Sequence, residues 1–345
     1  MLKRFLGKRK RRVEANASRV VVIGGGSWAT ALVKMLAENN TQVNWWLRNR
    51  EAVKHIHKYR HNPDYLSGVQ ISKSKVKPHS DLKQALQNAE FVFVAVPAAF
   101  VRDALKELTV ADFVGKIVIS AVKGIIPDEH LLVTQYMEKH FQIPTSNSAV
   151  VAGPCHAEEV ALEKQSYLTI GSENQQTAQK VAQLLACRYI KTATNADVLG
   201  IEYCAVMKNI IAIASGITHG LNYGDNFQAV LVSNAMQEIQ RFLNRLHPHD
   251  RDLNGSAYLG DLLVTTYSQF SRNRTFGNMI GRGYTVKSAQ MEMNMIAEGY
   301  YAVRGIYEIN KNLQVDMPIT KAVYKILYEK VNPMLEISIL SDRLY

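Results

Sequence analysis

The chain has 345 residues, 47% of them hydrophobic, and a formal net charge of +11. That length buries a large core and favours two domains over one, while three cysteines (Cys155, Cys187 and Cys204) without CxxC or Cys/His spacing exclude a disulfide framework and a structural zinc site. The charge is no nucleic-acid footprint, because residues 1–19 hold eight Lys or Arg against Glu14 and account for seven of the positive charges, leaving +4 for the rest.

Residues 1–18 read as a basic, solvated tail, with contact to anionic lipid or RNA as the alternative use of such a run. The tail lacks the apolar stretch of a secretory signal, although composition does not distinguish it from an organelle transit peptide. No run approaches the roughly 20 uncharged apolar residues that span a bilayer. A soluble, cytoplasmic protein with no transmembrane segment and no nucleic-acid partner is expected.

From residue 19 onward, β-rich runs at 19–23, 42–47, 90–96, 116–121 and 148–152 alternate with longer helical-period segments. Such alternation predicts parallel strands with crossover helices. The runs are Val/Ile/Phe-rich without clean alternation, as when helices cover both faces of the sheet. Two further runs, at 167–171 and 189–194, extend the sheet before the pattern turns helical at 196–216, 226–246 and 288–310. The fold class is therefore α/β: a Rossmann-like doubly wound parallel sheet over 19–195, then a mainly α-helical domain over 196–335 and a C-terminal tail over 336–345.

The first strand leads into Gly24-Gly25-Gly26-Ser27-Trp28-Ala29. Gly24 permits a tight turn, Gly26 lets the backbone approach a pyrophosphate, and Ala29 is small enough for close helix–sheet packing. The helix opening at Ser27 and Trp28 would aim its free N–H groups at the phosphates. A purely structural glycine turn reads the same way in isolation. After the second strand, Arg48 and Arg50 stand where an NAD-selective fold often places an acid. Guanidinium groups suit a 2′-phosphate, so NADP or NAD is expected with NADPH favoured; two solvated arginines are the alternative.

Six further residues carry chemistry. Lys123 follows a strand at its carboxyl end, where ligands bind in open α/β sheets, although a loop lysine is commonly only solvated. Lys208 stands in the apolar stretch 205–217, an expensive place for an ammonium unless it faces a cleft, is paired, or snorkels to the surface. Ser271, Arg272 and Asn273 supply a hydroxyl, a guanidinium and an amide in succession, suited to a phosphate monoester or to an ordinary basic turn. Asp261 precedes an apolar run that it could simply cap.

Ordered segments make the reading specific: Gly24 to Leu32; Arg60-His61-Asn62-Pro63-Asp64-Tyr65-Leu66; Ala95-Val96-Pro97; Lys123-Gly124; Gly153-Pro154-Cys155-His156-Ala157-Glu158; Met207-Lys208-Asn209; Gly260-Asp261-Leu262; Ser271-Arg272-Asn273-Arg274; Ala297-Glu298-Gly299; and Met317-Pro318-Ile319. Over roughly residues 18–330 the chain resembles the bacterial-type NAD(P)-dependent glycerol-3-phosphate dehydrogenases. The resemblance implies reversible NAD(P)H-dependent reduction of dihydroxyacetone phosphate to sn-glycerol 3-phosphate for glycerophospholipid biosynthesis. It makes Lys208 the proton donor and acceptor, and places Lys123 beside cofactor and substrate. Asp261 becomes the group orienting Lys208 or a substrate hydroxyl. Ser271, Arg272 and Asn273 become the substrate clamp, with Arg272 also near the cofactor. Gly153 and Cys155 are implied to line the substrate, and Ala157, Ile296 and Glu298 the cofactor.

Departures from the family pattern are Cys155 and His156 for Ser and Phe, Asn234 for an arginine, and Tyr258 for a glycine. A related β-hydroxyacid or sugar-phosphate dehydrogenase is the nearest alternative; a weakly active NADP(H)-binding regulator is another. The apolar helical half offers a homodimer surface, and the same helices suit a monomer.

Overall fold

The computed structural model describes residues 19–39, 41–293 and 296–345. The reading of residues 1–18 as a basic tail lies outside the described residues. Among the described residues, eight strands form one sheet: β1 (Arg19–Ile23), β2 (Gln42–Trp46), β3 (Val76–His79), β4 (Phe91–Val94), β5 (Ile117–Ser120), β6 (Ser148–Ala152), β7 (Ser166–Gly171) and β8 (Ile190–Asn195). The helices around it are α1 (Ser27–Glu38), α2 (Arg50–Tyr59), α3 (Leu82–Leu86), α4 (Val101–Leu105), α5 (Val133–Phe141), α6 (Ala157–Ala161) and α7 (Gln175–Leu185). The helical half follows as α8 (Val198–Gly220), α9 (Asp225–Leu246), α10 (Asp261–Tyr267), α11 (Arg272–Gly281), α12 (Val286–Glu292), α13 (Glu298–Leu313), α14 (Pro318–Tyr328) and α15 (Pro333–Ser341).

The spatial order is β3-β2-β1-β4-β5-β6-β7-β8. Because β1 lies between β2 and β4, the connections leave in opposite directions there and open a crevice at the strands' carboxyl ends. Every residue of β4, β5 and β6 is buried, as their continuous apolar composition requires of strands covered on both faces.

Two features of the sheet depart from the sequence reading. The sheet has a strand, β3, that the apolar pattern does not reveal: it reads Val-Lys-Pro-His, and its proline is accommodated because β3 is an edge strand. The sheet is also not parallel throughout, since β7 pairs antiparallel with β6. The five-residue α6 between them is too short for the crossover that parallel neighbours need.

Two corrections fall in the helical half. The continuous helical segment expected over 288–310 is two helices, α12 and α13, and the break between them brings Ile296 and Glu298 to the site described below. Residues 336–345, read as a tail, instead contain most of α15, started by Pro333 and capped by the Asn332 side chain. Ile337 and Leu340 from this helix join the helical core, and Lys325 pairs with the buried Glu336 at 2.9 Å.

Helix α8 is the axis of this half. It is the one described helix long and apolar enough to cross a membrane, yet 89% of that window is buried inside the fold. Helix α11 packs backbone to backbone against it: a Cβ on Gly277 would clash with the Ile213 carbonyl, and one on Gly216 with the Arg274 carbonyl. This contact sets where the Ser271–Asn273 segment meets Lys208.

Candidate active site

At the end of β1 the chain turns through Gly24 at φ +140°, with the Ala95 carbonyl oxygen 2.5 Å from where a Cβ would sit. Any side chain would be strained and would collide with the end of β4. Gly26, in extended conformation, precedes α1 without a side-chain cap, and a Cβ there would meet nothing within 4 Å. The first N–H groups of a twelve-residue helix thus face open space. Asn62, 1% exposed, holds the turn: its amide donates to the Gly25 carbonyl and to Thr30 Oγ1, both at 2.9 Å.

The turn opens on a cavity of about 600 Å³. Its walls include Gly24, Gly26, Ser27, Trp28 and Arg48 at one end, and Lys208, Asp261, Ser271, Arg272 and Asn273 at the other. Lys123, Cys155, Ala157, Ile296 and Glu298 also line it. Two expected residues do not. Arg50 starts α2 on a solvent-facing position and lies away from the cavity. Gly153 sits behind the wall, its N–H donating to Asp261 Oδ2 at 3.3 Å.

Asp261 is the hub. It does not cap α10, whose N-cap is Gly260, but turns its carboxylate inward. Oδ1 accepts from Lys208 Nζ, and Oδ2 lies 3.6 Å from Lys123 Nζ. Lys208 and Asp261 are 3% and 1% exposed, so each charge survives only through the other and through its hydrogen bonds. Burial pushes the Lys208 ammonium down to about 7, the charge of Lys123 adds to this, and Asp261 opposes it. Burial, the largest single influence, would also lower Lys123, but Asp261 together with the neighbouring Cys155 and Lys208 groups outweighs it and holds that ammonium above its usual range. Burial alone would raise the Asp261 carboxyl; the two lysines hold it below the usual carboxylate range.

The surrounding elements fix this trio. The Asn209 amide, one residue after Lys208, donates to the Lys123 carbonyl at 2.7 Å. Ser271 caps α11 by accepting from the Arg274 N–H at 3.3 Å, and Asn273 Oδ1 accepts from the Gly299 N–H at 2.9 Å. Glu298 Oε1 accepts from the Ala98 N–H at 3.0 Å, joining α13 to the loop after β4.

The family departures divide by position. Cys155 lines the cavity with its thiol pushed up to about 12 by burial, so it stands there protonated. His156 also lines the cavity, its ring 6.0 Å from that of Phe270 and its pKa lowered by burial and by Lys123 and Lys208. Asn234 and Tyr258 are not among the lining residues. The Asn234 amide donates to the Tyr345 carbonyl at 2.8 Å, and the Tyr258 hydroxyl to Asp197 at the N-cap of α8, also at 2.8 Å.

Sequence reasoning had not singled out Asn62, Asn209, Phe100 or Asp103 for this site. The first two lie inside the ordered segments, which is the signal that could have found them; Phe100 and Asp103 carry none.

Comparison with known proteins identifies the family and the fold. The family model described as the N-terminus of NAD-dependent glycerol-3-phosphate dehydrogenase matches residues 19–178, and that of its C-terminus matches residues 197–338. The chain is 38% identical to a glycerol-3-phosphate dehydrogenase [NAD(P)+] of Bacillus pumilus, with 90% of each chain covered. It is 35% identical to the enzyme of that name from Bacillus subtilis, covering 92% and 93%. Its fold is similar to the crystal structure of glycerol-3-phosphate dehydrogenase from Coxiella burnetii, with a TM-score of 0.87 at 28% identity over 93% of this chain and 98% of that one.

Proposed function

Both halves place the chain in the NAD-dependent glycerol-3-phosphate dehydrogenase family, and from that premise we propose that it interconverts dihydroxyacetone phosphate and sn-glycerol 3-phosphate with a nicotinamide cofactor. The observation that carries this reading is the buried Lys208–Asp261–Lys123 cluster, which shares one cavity with the glycine turn. The residues fit a dinucleotide: Gly26 leaves room for a pyrophosphate against the start of α1, and the Trp28 indole N–H is buried in the cavity wall without a partner among the described residues. When bound, the nicotinamide supplies or accepts the hydride.

Lys208 donates the proton to the carbonyl oxygen in reduction and takes it back from the hydroxyl in oxidation, a role that suits an ammonium titrating near 7. Asp261 keeps Lys208 oriented and partly protonated. Lys123 brings a fixed positive charge to the carbonyl side, stabilising the negative charge that develops on oxygen. Arg272, flanked by Ser271 and Asn273, binds the phosphate ester through charge-assisted hydrogen bonds. Arg48 at the far end favours a 2′-phosphate and hence NADPH. Reduction in this direction supplies a glycerol phosphate for glycerophospholipid synthesis in the cytoplasm.

The test is NADPH and NADH oxidation with dihydroxyacetone phosphate by wild type and Lys208→Ala. Turnover by wild type with a loss on the order of 100-fold or more in the variant is expected. Binding of either cofactor without turnover of this substrate would overturn the assignment.

A further inference from the structure

An acid closing the second strand of such a sheet commonly receives the ribose 2′-hydroxyl of an NAD adenosine. Here β2 continues into Leu47, Arg48 and Asn49, with no carboxylate. One reaches the same end of the cavity from a different element. Asp103, on α4, lines the cavity together with Arg48 and Phe100. Its Oδ2 lies 3.9 Å from an Arg48 guanidinium nitrogen, while Oδ1 accepts from Lys106 Nζ at 2.9 Å. The guanidinium also lies 5.6 Å from the centre of the Phe100 ring. An arginine suited to a phosphate, a carboxylate suited to a vicinal hydroxyl and an aromatic face therefore converge on one spot.

We propose that Asp103 is a cofactor-selecting residue, accepting the adenosine 2′-hydroxyl of NADH and opposing the 2′-phosphate of NADPH. The inference rests on the dinucleotide reading above. Asp103 acts on NADPH in two ways: it occupies Arg48, and it places a negative charge beside the incoming phosphate. Its hydrogen bond from Lys106, followed by that cation's charge, holds the carboxyl below the usual range, so the negative charge is present at neutral pH. Arg48 and Asp103 are both more than half exposed, so water screens the effect and selection is graded rather than absolute. The arrangement gives a site that accepts both cofactors, with Arg48 and Asp103 pulling in opposite directions.

The experiment is equilibrium binding by the full chain, with NADH and NADPH followed by their fluorescence and with 5′-ADP and 2′,5′-ADP followed by calorimetry. Wild type, Asp103→Asn and Arg48→Ala are compared at low and at high salt. Asp103→Asn is expected to tighten NADPH and 2′,5′-ADP and to weaken NADH, moving the NADPH-to-NADH affinity ratio by roughly 10-fold at low salt and less at high salt. Arg48→Ala is expected to move that ratio the other way. Binding by wild type with an unchanged ratio in Asp103→Asn, or an equal loss for both cofactors, overturns the proposal alone. Failure of wild type to bind any of the four ligands overturns the dinucleotide reading beneath it. A lowered melting temperature without a change of ratio counts against the proposal, because a merely structural role does not distinguish the two cofactors.

Discussion

At position 208, burial and charge oppose one another. A lysine so enclosed would release its proton to escape desolvation, and Lys123 nearby adds to that pressure; only Asp261 holds the proton in place. The direction of the reaction sets the sign of the pH dependence. In the proposed mechanism reduction uses the ammonium, so its kcat/KM is expected to fall as pH rises through about 7, whereas oxidation uses the free amine and its kcat/KM is expected to rise over the same interval. In Asp261→Asn the attraction is gone, and the limb moves to lower pH by on the order of one unit while kcat falls roughly 10-fold or more. Profiles of kcat/KM in both directions check this, and a limb that stays in place in the variant would remove Asp261 from control of Lys208. No sequence pattern foretells the position of that limb, because it depends on the distance between side chains 53 residues apart.

Helix α14 shows how one element completes another. It opens Met317-Pro318-Ile319-Thr320, and methionine offers no oxygen for capping. Glu238, fully buried on α9, supplies the cap instead: its carboxylate accepts from the Ile319 N–H at 2.7 Å and the Thr320 N–H at 2.9 Å. Burial raises this carboxyl to about 7, against those hydrogen bonds. A folded-state pKa above the unfolded value means that the native state binds the extra proton, so Glu238 makes stability decline as pH rises from about 4.5 to about 7. Glu238→Ala strands two buried N–H groups and should cost about 3 kcal/mol in urea unfolding. Glu238→Gln, which keeps an acceptor oxygen, should cost less than half of that near pH 7 and should flatten the pH dependence. Equal losses in the two variants would show that packing, and not capping, dominates at this position. The sequence carries a proline that suits a helix start at Pro318, but no local pattern points to the acid that caps it, since Glu238 lies 81 residues before the Ile319 that it caps.

Across the whole molecule the two halves share a core. Ile125, Leu132, Val150 and Ala152 from the sheet side belong to the same buried cluster as Ile201, Val206 and Ile210 of α8. Burial of that interface couples the halves, and the Lys208–Asp261–Lys123 cluster spans it, with Lys123 following β5 and Lys208 on α8. A single calorimetric transition is therefore expected despite the length of the chain. NADPH at about 100 times its Kd, bound only by the folded state, should raise the stability of the whole by about 2.7 kcal/mol. Two resolved transitions, with only the earlier one responding to NADPH, would show that the halves unfold separately.

The sequence by itself determined the doubly wound unit and its first turn. Strands covered on both faces must be continuously apolar, and the chain reversal at Gly24 admits no side chain. It also determined the ordered segments that place the chain in its family and the long helices α8 and α9. Only the tertiary structure decided which of the named residues meet. It joined Lys123, Lys208 and Asp261, left Arg50 in solvent, moved Gly153 behind the wall, and brought Asp103 to Arg48. Local patterns report the demands of a single element on its own residues, as the proline hidden in edge strand β3 shows in reverse. The electrostatics of a site arise between elements, where packing sets the distances and the burial on which every charge depends.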